Sequence, residues 1–240
     1  QDSKLAADFR VTDFVRPGKN LMALQVMRFA DSTYAEDQDY WYLSGIYRNV
    51  WLTAKPALHI DDVNWTALPD AAFCGGTFSA DIRVSRVPGF AGCTVRTSLY
   101  NADGARLASA ESPVQAAAEY RTDRVPTANT ARACLALERV SLWSPESPVL
   151  YTAVFELLSP EGDVLDIESS RFGFKRVEVR SGVVYLNGRR LIVRGVNRHE
   201  HYYKTGRAVP REVMLEEIRQ MKRMNVNSVR TCHYPDCPDW

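Results

Sequence analysis

The sequence has almost no excess of either charge: 30 Lys and Arg residues stand against 29 Asp and Glu residues, a formal net charge of +1. A protein that holds nucleic acid through its phosphates needs a basic surface, so we expect no nucleic-acid partner. No apolar run approaches the roughly 20 residues that a membrane-spanning helix needs, so we expect no membrane partner. With 45% apolar residues, the composition is typical of a globular protein and disfavours disorder.

Cysteine is scarce and irregularly spaced. The five cysteines include no Cys-x-x-Cys pair, and they lie at Cys74, Cys93, Cys134, Cys232 and Cys237. An odd number at irregular spacing disfavours a disulfide framework or a cysteine-based zinc site, and it favours reduced, partly buried thiols. Reduced thiols are compatible with a reducing compartment, which favours the cytoplasm over the periplasm.

The chain also lacks an initiator Met, and no basic-then-apolar signal peptide follows Gln1. We therefore expect that either end is a cut. A length of 240 residues predicts about one or two complete domains.

Short alternating segments separated by turn residues occupy most of the first part of the chain. The pattern predicts strands at residues 21–27, 47–52, 77–84, 94–100, 150–157 and 164–167, and a hairpin turn at 101–104 (Asn-Ala-Asp-Gly). Turn signals about every ten residues are typical of a β-sandwich. We predict an immunoglobulin-like sandwich of about 120 residues over positions 57–176.

The pattern changes after residue 177. Asn187-Gly188 predicts a type I′ turn between strands at 183–186 and 190–192. A strand at 191–197 is then followed by a helix at 210–224 and a strand at 226–230, and the predicted apolar face of the helix comprises Met214, Ile218 and Met221. A strand–helix–strand unit implies parallel pairing, as at the start of a (β/α)8 barrel, which needs roughly 250 residues.

Polar clusters directly follow the two predicted parallel strands. Residues 197–201 read Asn-Arg-His-Glu-His, and residues 230–235 read Arg-Thr-Cys-His-Tyr-Pro. The carboxyl ends of barrel strands form the face that holds the active site, and a buried strand has no structural need for such polar ends. These clusters are the candidate site.

Three interpretations of the first cluster stay open. His199 and His201 could bind one metal ion, although no third ligand spacing is evident and a His-Glu-x-x-His helix is not present. The histidines could instead cap backbone groups. Hydrogen bonding to a polyhydroxylated ligand accounts best for the mixture of His, Arg, Asn and Tyr.

A third cluster at residues 36–48 joins acidic and aromatic side chains. Aromatic faces cover the apolar side of a sugar ring, and carboxylates accept its hydroxyl hydrogens. A solvated acidic loop beside a core aromatic cluster would have a similar sequence.

Four segments, in order, carry a resemblance to a known family. They are Asp37-Gln38-Asp39 with residues 44–50 (Ser-Gly-Ile-Tyr-Arg-Asn-Val), residues 142–148 (Leu-Trp-Ser-Pro-Glu-Ser-Pro), residues 195–201 (Gly-Val-Asn-Arg-His-Glu-His) and residues 229–235 (Val-Arg-Thr-Cys-His-Tyr-Pro). Together they resemble the lac-type bacterial β-galactosidases of the second glycoside hydrolase family. The Asp-Gln-Asp segment favours galactosidase over glucuronidase or mannosidase.

The resemblance implies a mainly β fold in three parts: an immunoglobulin-like β-sandwich flanked by part of a jelly-roll domain and the first strands of a (β/α)8 barrel. The expected bounds are 1–56 for the end of the jelly-roll sugar-binding domain, 57–176 for the sandwich and 177–240 for the beginning of the catalytic barrel. The last two bounds agree with the change of pattern in the sequence.

The resemblance also implies roles for four residues. Asp39 resembles an aspartate that contacts the galactose 6-hydroxyl and a sodium ion. His199 and His233 resemble histidines that hydrogen-bond the sugar near its 3-hydroxyl. Arg230 resembles an arginine packed against the nucleophilic carboxylate, which would favour that group's charged form.

Two departures from the family pattern matter. Residues 202–206 (Tyr-Tyr-Lys-Thr-Gly) occupy a loop where many relatives have a proline, which affects the expected loop shape and substrate preference. No glutamate of this chain matches the family's acid/base and nucleophile, which are expected beyond Trp240.

The resemblance implies a retaining exo-glycosidase acting on terminal β-D-galactosides, and we expect the 240 residues alone to be inactive. The 240 residues need no cofactor, while sodium and magnesium are expected in a full-length enzyme that is a homo-oligomer. The alternatives are a β-glucuronidase-like enzyme of the same family and a non-catalytic carbohydrate-binding or scaffold module.

Overall fold

The structure is a computed structural model of the chain, and it describes residues 4–35, 41, 43–85, 89–116 and 129–240. Two compact units make up the chain: one is Thr53–Ile192, and the other combines Gln1–Leu52 with Val193–Trp240. Each described sheet lies within one of these units.

Seven antiparallel strands form a sandwich in the Thr53–Ile192 unit. They are β1 (Ile60–Pro69), β2 (Gly76–Val84), β3 (Thr94–Tyr100), β4 (Arg106–Pro113), β5 (Asn129–Leu137), β6 (Tyr151–Leu158) and β7 (Val164–Phe172). One sheet has the order β1-β2-β5 and the other the order β4-β3-β6-β7. Two antiparallel sheets of three and four strands are the architecture of an immunoglobulin-like domain, which confirms the prediction.

Side chains that alternate along the strands build the sandwich core. In β2 and β5 almost every second residue is buried, as expected for strands with one face on the core. Phe78 and Phe155 are fully buried, and Phe172 packs against Phe78 with ring centroids 4.6 Å apart. Tilted aromatic pairs of this kind add to the burial of apolar area, so the core is held mainly by the hydrophobic effect.

The two predicted hairpin turns are present. Asn101 lies between β3 and β4, and its Oδ1 atom accepts hydrogen bonds from the backbone nitrogens of Asp103 and Ala105 at 3.1 and 2.8 Å. Asn187 and Gly188 both have positive φ, 49° and 74°, as a type I′ turn requires. That second turn joins β9 (Val183–Leu186) to β10 (Arg189–Arg190), and β8 (Val177–Arg180) pairs with the other side of β9 in the same antiparallel sheet.

The end of the other unit is a strand–helix–strand segment. It contains β11 (Gly195–Arg198), α1 (Arg211–Arg223) and β12 (Ser228–Thr231). The two strands pair in parallel, as predicted, with Asn197 opposite Arg230. Pro210 is the N-cap of the helix, and beyond its end Asn225 takes a positive φ of 60°, a conformation that asparagine tolerates at helix ends.

Several local predictions for this unit were wrong. Residues 21–27 and 47–52 form no strand, and Leu21 is 97% exposed. Up to residue 52, the described residues form only two 3-10 turns, Thr12–Phe14 and Asp31–Tyr34. A strand needs a neighbour for its backbone hydrogen bonds, and no described strand pairs with residues 21–27 or 47–52.

The predicted strand and apolar face around helix α1 needed smaller corrections. β11 begins at Gly195 rather than at residue 191. On the helix only Met214 is buried, while Ile218 keeps 38% exposure. An apolar helix face is covered only where another element packs on it, which periodicity alone cannot tell. The boundary at residue 177 stays a prediction, because the sandwich unit continues to Ile192.

Candidate functional site

The two predicted polar clusters meet at the carboxyl ends of β11 and β12. Because these strands are parallel neighbours, the residues that follow them emerge at the same edge. The imidazole centroids of His199 and His233 lie 5.5 Å apart, with the rings nearly perpendicular at 86°. The structure therefore brings the two predicted sugar-binding histidines together, while their role in binding stays a prediction.

A third histidine extends this cluster. His201 stacks on His199 with centroids 5.9 Å apart, and Trp41 stacks on His201 at 4.7 Å and an interplanar angle of 12°. Burial lowers the pKa of His201, and the nearby His199 adds to that effect. The cluster thus presents stacked aromatic ring surface as well as ring nitrogens. Trp41 belongs to the acidic and aromatic segment of the sequence, and that segment was the only signal for its part in the site.

Of the two other predicted site residues, Arg230 and Asp39, the structure describes only Arg230. Arg230 lies on β12 opposite Asn197 and is exposed. Asp39, the predicted contact of the 6-hydroxyl and of a sodium ion, lies outside the described residues. The roles of Arg230, Asp39 and sodium therefore stay predictions.

Burial alternates along residues 198–201, between charged side chains and histidines. His199 and His201 are partly exposed, whereas Arg198 and Glu200 are 4% and 2% exposed. β11 ends at Arg198, and the chain then bends so that the His201 backbone nitrogen donates to the His199 carbonyl at 2.9 Å. The bend leaves the charged pair buried and the two imidazoles partly exposed. The sequence analysis counted Arg198 among the polar side chains suited to a polyhydroxylated ligand, but the structure buries it against Glu217 and Asp236. Glu200 was given no separate role.

Glu200 joins three segments behind the histidines. Its Oε2 atom accepts a hydrogen bond from Arg48 Nη2 at 2.7 Å, and its Oε1 atom accepts one from the backbone nitrogen of Cys237 at 2.8 Å. Its own backbone nitrogen donates to the Tyr234 hydroxyl at 3.1 Å. Burial works against the charge of Arg48, but the hydrogen bond and charge of Glu200 outweigh it and raise the pKa of the guanidinium.

Arg198 forms a second buried network. Its Nε atom donates to Glu217 on α1 at 2.9 Å, and its Nη1 atom donates to Asp236 at 2.7 Å. The guanidinium also lies 3.8 Å from the centroid of the Trp240 ring. Burial raises the pKa of Asp236, against the opposing effect of the Arg198 charge. This network ties the helix and the segment after β12 to the strand that carries His199.

The loop at 202–206 is a closed turn. Tyr202 and Gly206 exchange backbone hydrogen bonds of 2.7 and 2.8 Å. Tyr203 at the tip is 79% exposed. Just after the loop, buried Arg207 donates to the carbonyl of Leu43 at 3.0 Å, which links the loop to the aromatic segment that carries Trp41.

The carboxylates beside the histidines are engaged by cations. Glu200 pairs with Arg48, and Glu217 and Asp236 pair with Arg198. A retaining glycosidase needs one carboxylic acid and one nucleophilic carboxylate about 5–5.5 Å apart, both aimed at the sugar. The described carboxylates next to the histidines are held in ion pairs and do not fit that description.

One group of described residues has a geometry that could hold a metal ion. Ligand atoms of His199, Cys232 and His233 all lie within 4.8 Å of one another. The alternative pair of His199 and His201 places the rings in a stack rather than around a point. For the magnesium expected in the full-length enzyme, the sequence predicted no ligand in this chain.

No described helix is both long enough and apolar enough to cross a membrane.

Comparisons with known proteins cover almost every residue. Sequence profiles of glycosyl hydrolases family 2 match as the sugar binding domain at residues 1–56, as the central family domain at 58–175 and as the TIM barrel domain at 177–240. β-Galactosidase from Vibrio cholerae is 37% identical over 240 residues, and β-galactosidase 2 from Enterobacter cloacae is 38% identical over 244 residues. Both alignments cover all of this chain and 23% of the relative, so the chain spans about a quarter of those proteins.

The solved structure of Bacteroides uniformis β-glucuronidase 3 is also similar. It matches with a TM-score of 0.69 and 30% identity, over 84% of this chain and 23% of that one. The strand order, the adjacent polar strand ends and three family profiles that follow one another along the chain agree on a single family. The chain belongs to family 2 of the glycosyl hydrolases.

Proposed function

We propose that the full-length protein carrying this chain hydrolyses terminal β-D-galactosides with retention of anomeric configuration. The observation that carries the proposal is the adjacency of His199 and His233 at the ends of neighbouring parallel strands. Similarity to β-galactosidases over the whole chain supports galactose as the sugar.

In this proposal the histidine cluster recognises the glycone. Ring nitrogens of His199 and His233 hydrogen-bond neighbouring hydroxyls of the galactosyl ring. Within the described residues, His199 Nδ1 is buried and has no hydrogen-bond partner, so a sugar hydroxyl would satisfy it. Hydrogen bonds that strengthen as the ring flattens toward an oxocarbenium ion lower the barrier, whereas uniform binding does not.

The buried charges position these rings. Arg198 and Glu200 flank His199 in sequence, and each is held by groups from other segments of the same unit. Rigid support matters because a small misplacement of a binding group costs much of its effect on the transition state. Glu200 and Arg198 are therefore positioning residues.

The acid/base and nucleophile glutamates are proposed to come from outside these 240 residues, because the carboxylates beside the histidines are bound to arginines. The 240-residue chain alone should then give no hydrolysis of an aryl β-galactoside. In the same proposal, Asp39 contacts the galactose 6-hydroxyl and a sodium ion, and Arg230 lies beside the nucleophile. The full-length protein holds a magnesium ion elsewhere and forms a homo-oligomer.

The central test uses the full-length protein with His233→Ala. Loss of a hydrogen bond of about 1–3 kcal/mol in the transition state should lower kcat about 5–150-fold with a smaller change in KM. His59→Ala is the matched control, because His59 belongs to the sandwich unit and to no polar strand end. An unchanged kcat in His233→Ala would exclude the proposed role.

A β-glucuronidase-like activity is the second candidate, supported by the similarity to Bacteroides uniformis β-glucuronidase 3. A glucuronide differs from a galactoside in carrying a carboxylate, which calls for a cation in the site. Rates on matched aryl β-galactoside and aryl β-glucuronide substrates separate the two. A kcat/KM higher for the glucuronide would replace the first proposal with the second.

A further inference from the structure

Cys232 is the one sulfur in the histidine cluster among the described residues, and the proposed sugar chemistry does not use it. Its side chain is 1% exposed, and its Sγ atom lies 3.3 Å from the carbonyl oxygen of Arg198. A buried thiol normally acts as a small apolar side chain. This thiol instead borders two imidazoles, a combination of ligands that suits a thiophilic metal.

The geometry of the three side chains approaches that of a tetrahedral metal site. Zn–S of about 2.3 Å and Zn–N of about 2.0–2.1 Å require ligand atoms roughly 3.3–3.6 Å apart. The ligand atoms of His199, Cys232 and His233 are all within 4.8 Å of one another, so closing the set needs shifts of only about 1 Å.

The ring arrangement agrees with this geometry. Two imidazoles bound to one tetrahedral metal would have centroids about 5 Å apart, given the same bond lengths. The centroids of His199 and His233 are 5.5 Å apart, and the rings are at 86° to each other, so neither ring blocks the other from a shared ion.

An unsatisfied nitrogen is the second observation that points to a ligand. His199 Nδ1 is buried and has no hydrogen-bond partner in the described part of the chain. Buried polar atoms in folded proteins are generally paired, so such an atom is explained by a group that binds there.

We propose that His199, Cys232 and His233 form a site for Zn²⁺ or a similar thiophilic cation, and that this cation competes with the sugar. The thiol loses its proton to solvent, and its thiolate and the two imidazoles bind the metal. Three protein ligands leave a fourth position for water. The competition rests on the proposed function, since the same imidazoles are assigned to the galactosyl hydroxyls.

The ligand set also predicts selectivity. Sulfur and imidazole favour Zn²⁺, Co²⁺ and Cu⁺, while Mg²⁺ prefers oxygen ligands in octahedral geometry. Magnesium should therefore neither occupy the site nor relieve the effect of zinc.

The first experiment detects metal binding by absorption spectroscopy and does not depend on enzyme activity. CoCl₂ is titrated into the full-length protein, and we expect visible bands of tetrahedral cobalt together with a thiolate-to-cobalt charge-transfer band. Both should be lost in Cys232→Ser and kept in Cys237→Ser, the matched control from the same segment. No cobalt spectrum in the unaltered protein, or the same spectrum in Cys232→Ser, overturns the site.

A second variant covers the case in which Cys232→Ser does not fold. His233 is exposed, so His233→Gln should fold. It should weaken cobalt binding at least tenfold while keeping the charge-transfer band at saturation. Unchanged cobalt affinity in His233→Gln overturns the site as well.

The second experiment measures inhibition. ZnCl₂ should raise the apparent KM for an aryl β-galactoside, EDTA should reverse this, and Cys232→Ser should need at least ten times more ZnCl₂. Noncompetitive inhibition, or equal inhibition of Cys232→Ser and Cys237→Ser, overturns the competition. If the full-length protein hydrolyses no galactoside, the proposed function fails, and the cobalt spectrum still decides the metal site. If the full-length protein hydrolyses the galactoside but gives no cobalt spectrum, the proposed function stands and the metal site is wrong.

Discussion

The sandwich unit and the β11–α1–β12 segment are held by different forces. The main core cluster lies entirely within the sandwich and is made of aromatic and aliphatic side chains. In residues 193–240, which contain this segment, the only buried hydrophobic residues are Met214, Cys232 and Tyr234, and three charged residues, Arg198, Glu200 and Arg207, are buried as well. Apolar burial needs no particular partner, whereas a buried charge needs a defined one. The second arrangement therefore costs stability, but it fixes the partner of each buried charge, as the proposed positioning of the histidines requires.

The largest effect should come from the apolar core. Phe155→Ala removes a fully buried ring and leaves a cavity, so the free energy of unfolding should fall by about 3–5 kcal/mol. Urea denaturation monitored by circular dichroism measures this loss. Phe14→Ala is the control, because Phe14 is 84% exposed and should change stability by less than about 0.5 kcal/mol. Equal effects of the two substitutions would contradict the account of the sandwich core.

A buried ion pair should have the next effect. Glu200→Gln keeps the shape of the side chain but removes its charge from Arg48, at a cost of about 1.5–3 kcal/mol in the free energy of unfolding. Glu216→Gln is the matched control, since Glu216 pairs with Arg219 and Arg223 on the surface of α1, where such pairs contribute about 0.2–1 kcal/mol. If the surface change costs as much as the buried one, charge pairing does not hold this segment.

The smallest effect should be a pH dependence that comes from His201. Burial lowers the pKa of this group below its ordinary value of 6.5, so the unfolded chain binds its proton more readily than the folded chain. The contribution to stability is complete above about pH 6.5 and is lost as pH falls toward the lowered pKa.

Melting temperatures of the unaltered protein and of His201→Gln, measured between about pH 5 and pH 8, test this effect. His201→Gln should flatten the loss on the acid side, and Trp41→Ala should reduce it by exposing the ring that Trp41 covers. The same acid-side slope in all three proteins would contradict a lowered pKa for His201 in the folded chain.

Strand predictions were accurate where the signals lay within the segment and its neighbouring turn. The strand 94–100 was predicted with the bounds that the structure has, because alternation and the following Asn-Ala-Asp-Gly turn are local signals. Residues 21–27 are an almost continuous apolar run that also predicted a strand, but they form none. The pattern marks a segment that can pair, and pairing depends on a neighbouring strand that the segment does not contain.

The candidate site shows the same division. Parallel strands could be inferred from their spacing, so the meeting of His199 and His233 was predictable. The partners of Arg198 and Glu200 lie 19 to 152 residues away in sequence, and no periodicity links them. Cys232 was interpreted as an ordinary buried thiol, because sequence spacing alone does not place it between two imidazoles.

The sequence by itself determined the family, the sandwich and the strand–helix–strand segment, because these depend on local patterns of side chains and turns. Only the tertiary structure decided which charges are buried behind the histidines and which thiol stands among them. Those contacts join segments far apart in the chain, and their geometry exists only after the strands have paired and the charged groups have found partners that offset their loss of water.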